Sequence, residues 1–283
     1  MKLGITFEGG ASRTLFSCGV MDVLLKENIV ADYIIGASAG ISYAVSYASK
    51  QYERNLTITR KYMNDKRYMG VRHMFSPKNR GFYNLDFVFG EIPNKLVPYD
   101  YVEFANFKGN CVAVVTNVET GEAEYLEVPR NDKSWQLLRA TCALPLLFPK
   151  IKIGGSFYLD GGVSDSIPFE KAISEGCDKN IVVLTRERGY VKKPEKASAA
   201  AELVYRKYPR LVNALKTRAD RYNECIKRLE ELEKQGKVLV IAPETTMGVK
   251  RTENDPVILE KLYRLGVSQT EKLVPTIKSY LEV

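Results

Sequence analysis

The sequence predicts an α/β fold: a three-layer α/β/α sandwich around a mostly parallel central sheet. Three observations predict it. The chain opens with a strand, a helix, a strand and helical sequence over residues 2–62. Two later runs, "NIVVLTRE" and "KVLVIAPE", are short, β-branched and apolar, as buried strands are. The composition, 45% apolar and 27% charged over 283 residues, is that of a globular chain able to bury a substantial core.

Taken in order, residues 2–8 read as a strand, 13–27 as a helix, 33–37 as a strand and 39–62 as helical sequence. Residues 65–85 contain Gly70, Pro77, Gly81 and many polar side chains, so they read as a long loop, of a length that usually forms a lid or binding element. "NCVAVVTNVET" and "EAEYLEV" are strands joined at Gly121, and "SWQLLRATCAL" is a helix stopped by Pro145. "IKIGGSFYLDGG" reads as a hairpin turning at Gly154-Gly155. From about residue 195 the sequence becomes charged and helical. Leu211, Leu215, Tyr222, Ile226 and Leu229 are spaced to share one face of a single long helix. The softest boundary, "ERGYVKKPEK" at 187–196, divides an expected main domain, 1–186, from a helix-rich C-terminal extension, 187–283, packed on it.

Composition also excludes some functions. The five cysteines are far apart with no C-x-x-C spacing, which predicts reduced, mostly buried thiols. With one histidine and no acidic loop, no metal and no other cofactor is expected. No apolar run approaches the roughly 20 residues of a membrane-spanning helix, and the N-terminus enters a strand directly, so a cytoplasmic protein is expected. The net charge of +8 favours anionic partners. Basic residues alternate with Tyr68, Met69, Met74, Phe75 and Phe82 in 66–85, a mixture suited to peripheral contact with an anionic membrane surface. Charge alone supports a nucleic-acid binder, so no nucleic-acid partner is expected.

The chemistry begins at "DYIIGASAGISYAVSYASK". A strand, the turn Gly36-Ala37-Ser38-Ala39-Gly40 and a helix form the context of a nucleophile elbow, where Ser38 is held in a strained turn with its hydroxyl exposed. Gly36 and Gly40 let backbone crowd against backbone there. Strand one ends in a second glycine turn, "FEGGASRT", which opens a helix and points free N–H groups at an anion. It lacks the G-x-G-x-x-G and P-loop patterns, and beside a Ser38 elbow it reads as an oxyanion hole. A serine nucleophile needs a base. α/β-Hydrolases run Ser, then Asp or Glu, then His; the single histidine, His73, is read as a residue of the basic loop instead of as that base. A carboxylate acting directly on the serine remains. Asp160 ends the strand "GSFYLD", and Gly161 and Gly162 behind it allow a sharp turn and a close approach.

These residues together resemble the patatin-like phospholipases, over about Leu3 to Phe169. "EGGASRTLFSCGVMDVL" is similar to that family's glycine-rich oxyanion segment, "GASAG" to its elbow and "RATCALPLLFPKIKIGGSFYLDGGVSDSIP" to the segment carrying its aspartate. "VLVIAPETTMGVKRTENDPVILEKLYRLG" is similar to the C-terminal extension of a bacterial subgroup. The resemblance implies a patatin-like fold and a lipid acyl hydrolase working through a Ser-Asp dyad and an acyl-enzyme. It implies Ser38 as nucleophile, Asp160 as base, and N–H donors at Gly9, Gly10 and Ala11, with Arg13 at the family's basic position. Two residues depart from the pattern: Ala11 replaces the usual third glycine and Thr14 the last. They motivate the alternative of a catalytically impaired lipid-binding protein.

Overall fold

The computed structural model describes residues 1–76, 80–194 and 198–282. The first half alternates β1 (Leu3–Phe7), α1 (Leu15–Lys26), β2 (Tyr33–Ala37), α2 (Ala39–Ala48), α3 (Arg54–Tyr62) and α4 (Tyr101–Asn106). Next come β3 (Asn110–Asn117), β4 (Ala123–Glu127), α5 (Gln136–Thr141), β5 (Ile151–Ile153), β6 (Ser156–Asp160), α6 (Phe169–Ser174) and β7 (Lys179–Val183). The chain ends in α7 (Ser198–Val204), α8 (Pro209–Lys216), α9 (Arg218–Lys234), β8 (Leu239–Ile241) and α10 (Pro256–Glu282).

β3, β2, β1, β7 and β8 form a parallel sheet in that order, with β4 and the β5–β6 hairpin added antiparallel. Strand side chains alternate in direction, so each strand feeds two faces. Ile5, Ile34, Ala113, Val115, Ile181 and Val183 join one core with Phe16, Val20, Ile41, Leu259 and Tyr263 of α1, α2 and α10. Their neighbours point the other way, Ile35, Ala37, Val112 and Val114 against Ala172, and Val182 and Val240 against Phe169, Leu229 and Leu232. These are the three layers.

The register also sets the site. Val112 pairs with Ile35 and Glu127, and Thr116 pairs with Ala123 and Leu159. A strand has two edges, so β4 occupies one edge of β3, and β2 and β6 share the other. β2 ends at Ala37 opposite Val114, and the next position, Val115, is opposite Asp160. The C-terminal ends of β2 and β6 thus meet head to head, which brings together two residues 122 positions apart in sequence.

α1 and α10 cross closely at two glycines. A Cβ on Gly19 would lie 2.2 Å from the Tyr263 carbonyl oxygen, and one on Gly266 would lie 2.1 Å from that of Phe16. The obstacle is backbone in both cases and cannot rotate away. Gly19→Ala is therefore expected to destabilise the protein by about 1–3 kcal/mol through overpacking, despite the better helix propensity of alanine. Chemical denaturation checks this, and an unchanged midpoint would mean that the helices separate without loss.

Several elements depart from the sequence reading. Helical sequence 39–62 splits into α2 and α3 because Lys50 and Glu53 both take left-handed φ, 52° and 53°. The single long helix becomes α8 and α9, broken at Thr217. Leu211 and Leu215 pack with the α1–α2–α10 core, whereas Tyr222, Ile226 and Leu229 pack over β7 and β8, and one straight helix does not serve both. The 65–85 loop holds a 3-10 turn, Val71–Phe75, and a Met69–Tyr83 bridge, and its residues 77–79 lie outside the described ones. Of the boundary stretch, residues 195 and 196 also lie outside. Beyond it, β8 pairs with β7 in the main sheet. Among the described residues no helix is long and apolar enough to cross a membrane.

Candidate active site

Ser38 follows β2 directly, with φ 53° and ψ −130°, a sparsely populated conformation of the kind held only where the surroundings enforce it. They do so here. A Cβ on Gly40 would lie 2.3 Å from the Phe7 carbonyl oxygen, and one on Gly36 2.7 Å from the same atom, so only glycines let the elbow press against the end of β1. The Ser38 N–H donates to Thr141 Oγ1 at 2.8 Å, and that hydroxyl donates to the Val114 carbonyl at 2.5 Å. Thr141, at the end of α5, therefore ties the elbow to β3.

Ser38 Oγ donates to Asp160 Oδ2 at 2.7 Å. The carboxylate is fixed from behind by the Gly162 N–H on Oδ1 at 2.8 Å, and a Cβ on Gly161 would lie 2.1 Å from the Val114 carbonyl oxygen. Asp160 is buried, and burial raises its pKa. Arg218, the Ser38 hydrogen bond, the Gly162 N–H and Arg251 each work against that rise.

The glycine turn lies against the elbow: a Cβ on Gly9 would lie 2.8 Å from the Ala37 carbonyl oxygen. Among the described residues the N–H groups of Gly9 and Gly10 have no hydrogen-bond acceptor. Ala11 begins the 3-10 turn Ala11–Thr14 with φ 50°. The alanine thus enters the left-handed region that glycine takes most readily, at a strain of about 1–2 kcal/mol. Ser12 Oγ donates to the Arg251 and Glu253 carbonyls at 2.9 and 2.8 Å, so the loop before α10 holds the turn from outside. Arg13 is buried, and its Nε has no partner among the described residues.

Two cavities meet at Ser38. One is apolar, with Tyr43, Ile58, Tyr68, Phe89, Ile92 and Leu138 among its walls. The other contains Asp160, Arg13 and further basic residues. All the residues predicted for the site thus converge: Ser38, Asp160, Gly9, Gly10, Ala11, Arg13, Gly36, Gly40, Gly161 and Gly162. His73 lines neither cavity, and its Nε2 lies 3.0 Å from the Lys66 carbonyl oxygen.

Sequence reasoning missed several neighbours. Thr141 and Cys142 adjoin the elbow. Burial, followed by the nearby Asp160, pushes the Cys142 thiol up to about 12, so it stays neutral. Part of the apolar wall comes from a π-helical stretch, Phe87–Leu96, whose wide turns accommodate Pro93. The apolar run "LDFVFGEIP" was its available signal. Arg186, Lys192, Arg218 and Arg251 line the second cavity with no motif to mark them. Among the described residues no group of His, Cys, Asp and Glu is placed to hold a metal ion.

Comparison with known proteins adds a family. Residues 5–173 match the patatin-like phospholipase family, and residues 208–282 match a domain of unknown function (DUF6363). The uncharacterized protein YjjU of Escherichia coli is 26% identical over 203 residues, 65% of this chain and 52% of its own. The lysophospholipase NTE1 of Meyerozyma guilliermondii is 27% identical over 193 residues, 64% of this chain and 12% of its own. The chain therefore spans about half of the one relative and a small part of the other. The structure of VipD from Legionella pneumophila aligns with 97% of this chain and 66% of its own, at 14% identity and a TM-score of 0.46.

Proposed function

The chain belongs to the patatin-like phospholipase family, and from that premise we propose that it is a serine hydrolase that cleaves acyl esters of lipids through an acyl-enzyme. The observation that carries the reading is the 2.7 Å hydrogen bond from Ser38 Oγ to Asp160 Oδ2, with Ser38 also lining an apolar cavity. Ser38 Oγ attacks the ester carbonyl carbon as its proton passes to Asp160. The carbonyl oxygen becomes an oxyanion and takes the N–H groups of the Gly9–Ala11 turn. Collapse expels the alcohol, which leaves with the proton from Asp160. Water then attacks the acyl-Ser38 carbonyl, gives its proton to Asp160, and the fatty acid is released as that proton returns to Ser38.

The apolar cavity supplies the acyl site. The name lysophospholipase belongs to the fungal relatives; for this chain a lipid with one acyl chain is the substrate class we favour, given one apolar cavity at the serine among the described residues. The impaired-binder alternative rests on Ala11 and Thr14. Against it, Ala11 takes a left-handed φ of 50°, as a glycine does readily, and keeps its N–H. Labelling with a fluorophosphonate and a hydrolysis screen over long and short acyl esters test the proposal, with Ser38→Ala as the blank. Folded wild-type protein that neither labels nor turns over any ester would favour the binder.

Access to aggregated lipid gives a separate expectation. Phe75 is 83% exposed and Val71 61% exposed on the 3-10 turn that also carries Arg72. Apolar tips among basic groups suit an anionic interface. Replacing Phe75 and Arg72 together by Ala and Gln is expected to weaken activity on anionic vesicles several-fold, by losing apolar burial and about 1 kcal/mol for the charge. A soluble short-chain ester should be spared. Equal losses on both substrates would make the turn a support of the fold.

A further inference from the structure

The wall of the apolar cavity contains one buried cation. Arg54 is the first residue of α3, and the bend at Lys50 and Glu53 turns it back beside Ser46 of α2. It is 9% exposed, and among the described residues no carboxylate pairs with it. Nη2 donates to the Val97 carbonyl at 3.0 Å, Nη1 makes a long bond to Ser46 Oγ at 3.4 Å, and the guanidinium carbon lies 5.2 Å from the Tyr99 ring centroid. Nε has no acceptor among the described residues. A guanidinium has five donors, and these two bonds satisfy a minority of them.

A charge held away from water is costly unless it is paired. Position adds to the cost, because the N-terminal end of a helix favours an anion and α3 begins on a cation. Burial pushes the Arg54 guanidinium down to about 10, with the Tyr99 and Tyr101 phenols working against that fall. Neutral polar groups of the same wall are engaged elsewhere. Asn55 accepts from Ser46 Oγ at 2.9 Å and donates to the Tyr43 carbonyl at 3.2 Å. The Tyr99 hydroxyl donates to the Val45 carbonyl at 2.7 Å, and Trp135 Nε1 donates to the Tyr101 hydroxyl at 3.0 Å. Arg54 is the group of this wall whose bonding a ligand anion would complete.

We infer that Arg54 receives a carboxylate at the far end of the substrate's acyl chain, so that the preferred acyl group is a medium-length half-ester of a dicarboxylic acid. The inference rests on the hydrolase reading of the same site. Ser38 and Arg54 line one cavity, which follows α2 from Ser38 past Ser42 and Tyr43 to Val45. A helical rise of about 1.5 Å per residue puts Val45 about 10 Å from Ser38 along α2. An extended hydrocarbon chain, with bonds of about 1.5 Å set at an angle, advances about 1.25 Å per carbon. A chain of roughly eight to ten carbons therefore reaches from the serine to the guanidinium. Its carboxylate oxygens match the planar donors of arginine. A methyl end leaves the cation against hydrocarbon, and a hydroxyl end offers one neutral acceptor.

The test measures kcat/KM on p-nitrophenyl esters that end in a methyl, hydroxyl or carboxyl group, matched in length over about six to twelve carbons. It also measures the binding of the same esters to Ser38→Ala, with and without Arg54→Met. The carboxyl ester should lead the methyl ester by at least about ten-fold near eight to ten carbons, in kcat/KM and in binding, with the hydroxyl ester between them. Arg54→Met should remove that lead, and Arg54→Lys should keep part of it. Turnover with no preference, or with a preference for the methyl end, overturns this inference and leaves the hydrolase reading standing. Carboxyl-selective binding without turnover by the wild type does the reverse. A carboxyl lead that is equal at every length reports attraction to the net charge of +8 and overturns the assignment, as does a lead that survives Arg54→Met. If Arg54→Met fails to fold, the length dependence in the wild type still decides the matter.

Discussion

Asp160→Asn is expected to abolish acyl-ester turnover in a protein that still folds. The amide keeps the size of the carboxyl and an oxygen for the Gly162 N–H, but it does not take the Ser38 proton. Losses for a nucleophile or base in such machinery are on the order of 10⁴ to 10⁶ in kcat, and Ser38→Ala should match them. His73→Ala should leave turnover unchanged, since that ring lies outside both cavities. The pH profile gives an independent check. Burial raises the Asp160 pKa against the opposing effects of Arg218, Ser38, Gly162 and Arg251. The base works only when ionised, so activity is present above the raised value and is lost as pH falls through it. The acid limb should therefore lie above the roughly 3.9 of a free aspartate, with no histidine inflection near 6.5. Stability runs the opposite way for this group: a carboxyl with a raised folded pKa favours the folded state below that value and loses the contribution as pH rises through it. Arg251→Gln removes an opposing cation and should move the activity limb to higher pH. Loss of turnover in His73→Ala with retention in Asp160→Asn would overturn the Ser-Asp assignment.

The parts legible in the sequence were those where local backbone geometry restricts residue choice. Ser38, Gly36 and Gly40 stood out because a strained turn pressed against β1 admits few residues, and Asp160 because two glycines follow it where β6 meets β2. The parts that stayed hidden depend on long-range packing. Arg186, Lys192, Arg218 and Arg251 converge from four places in the second half of the chain, and their spacing carries no period. Arg218 lies in a basic stretch that reads equally well as a solvated helix face. The break at Thr217 that places it beside Gly162 arises because α8 and α9 serve different cores. Thr141 was missed for a related reason. A threonine near the end of a short helix has no signature, and its worth lies in joining Ser38 to Val114 across 103 and 27 residues.

Gly10→Val is expected to lower kcat on acyl esters by about 10² to 10³ without unfolding the protein, the loss seen when one oxyanion donor is displaced. A Cβ at Gly10 would lie 2.6 Å from Thr185 Oγ1 and 2.9 Å from the Thr185 Cβ and Cγ2. Thr185 has little room to yield, because its N–H and hydroxyl are both held by the buried Glu8 carboxylate. The turn must move instead, and the N–H groups of Gly10 and Ala11 swing away from the Ser38 hydroxyl. KM should change much less than kcat, since the donors act on charge that appears only in the transition state. Gly10→Ala, which adds the same first carbon but no branches, should show the same sign with a smaller loss. Ala11→Gly serves as the opposite control: it relieves a left-handed alanine and leaves the N–H in place, so kcat should hold or rise. Turnover unchanged in Gly10→Val, with a thermal melt like that of the wild type, would remove this turn from the mechanism and move the search for oxyanion donors to the N–H groups that follow Ser38 at the start of α2.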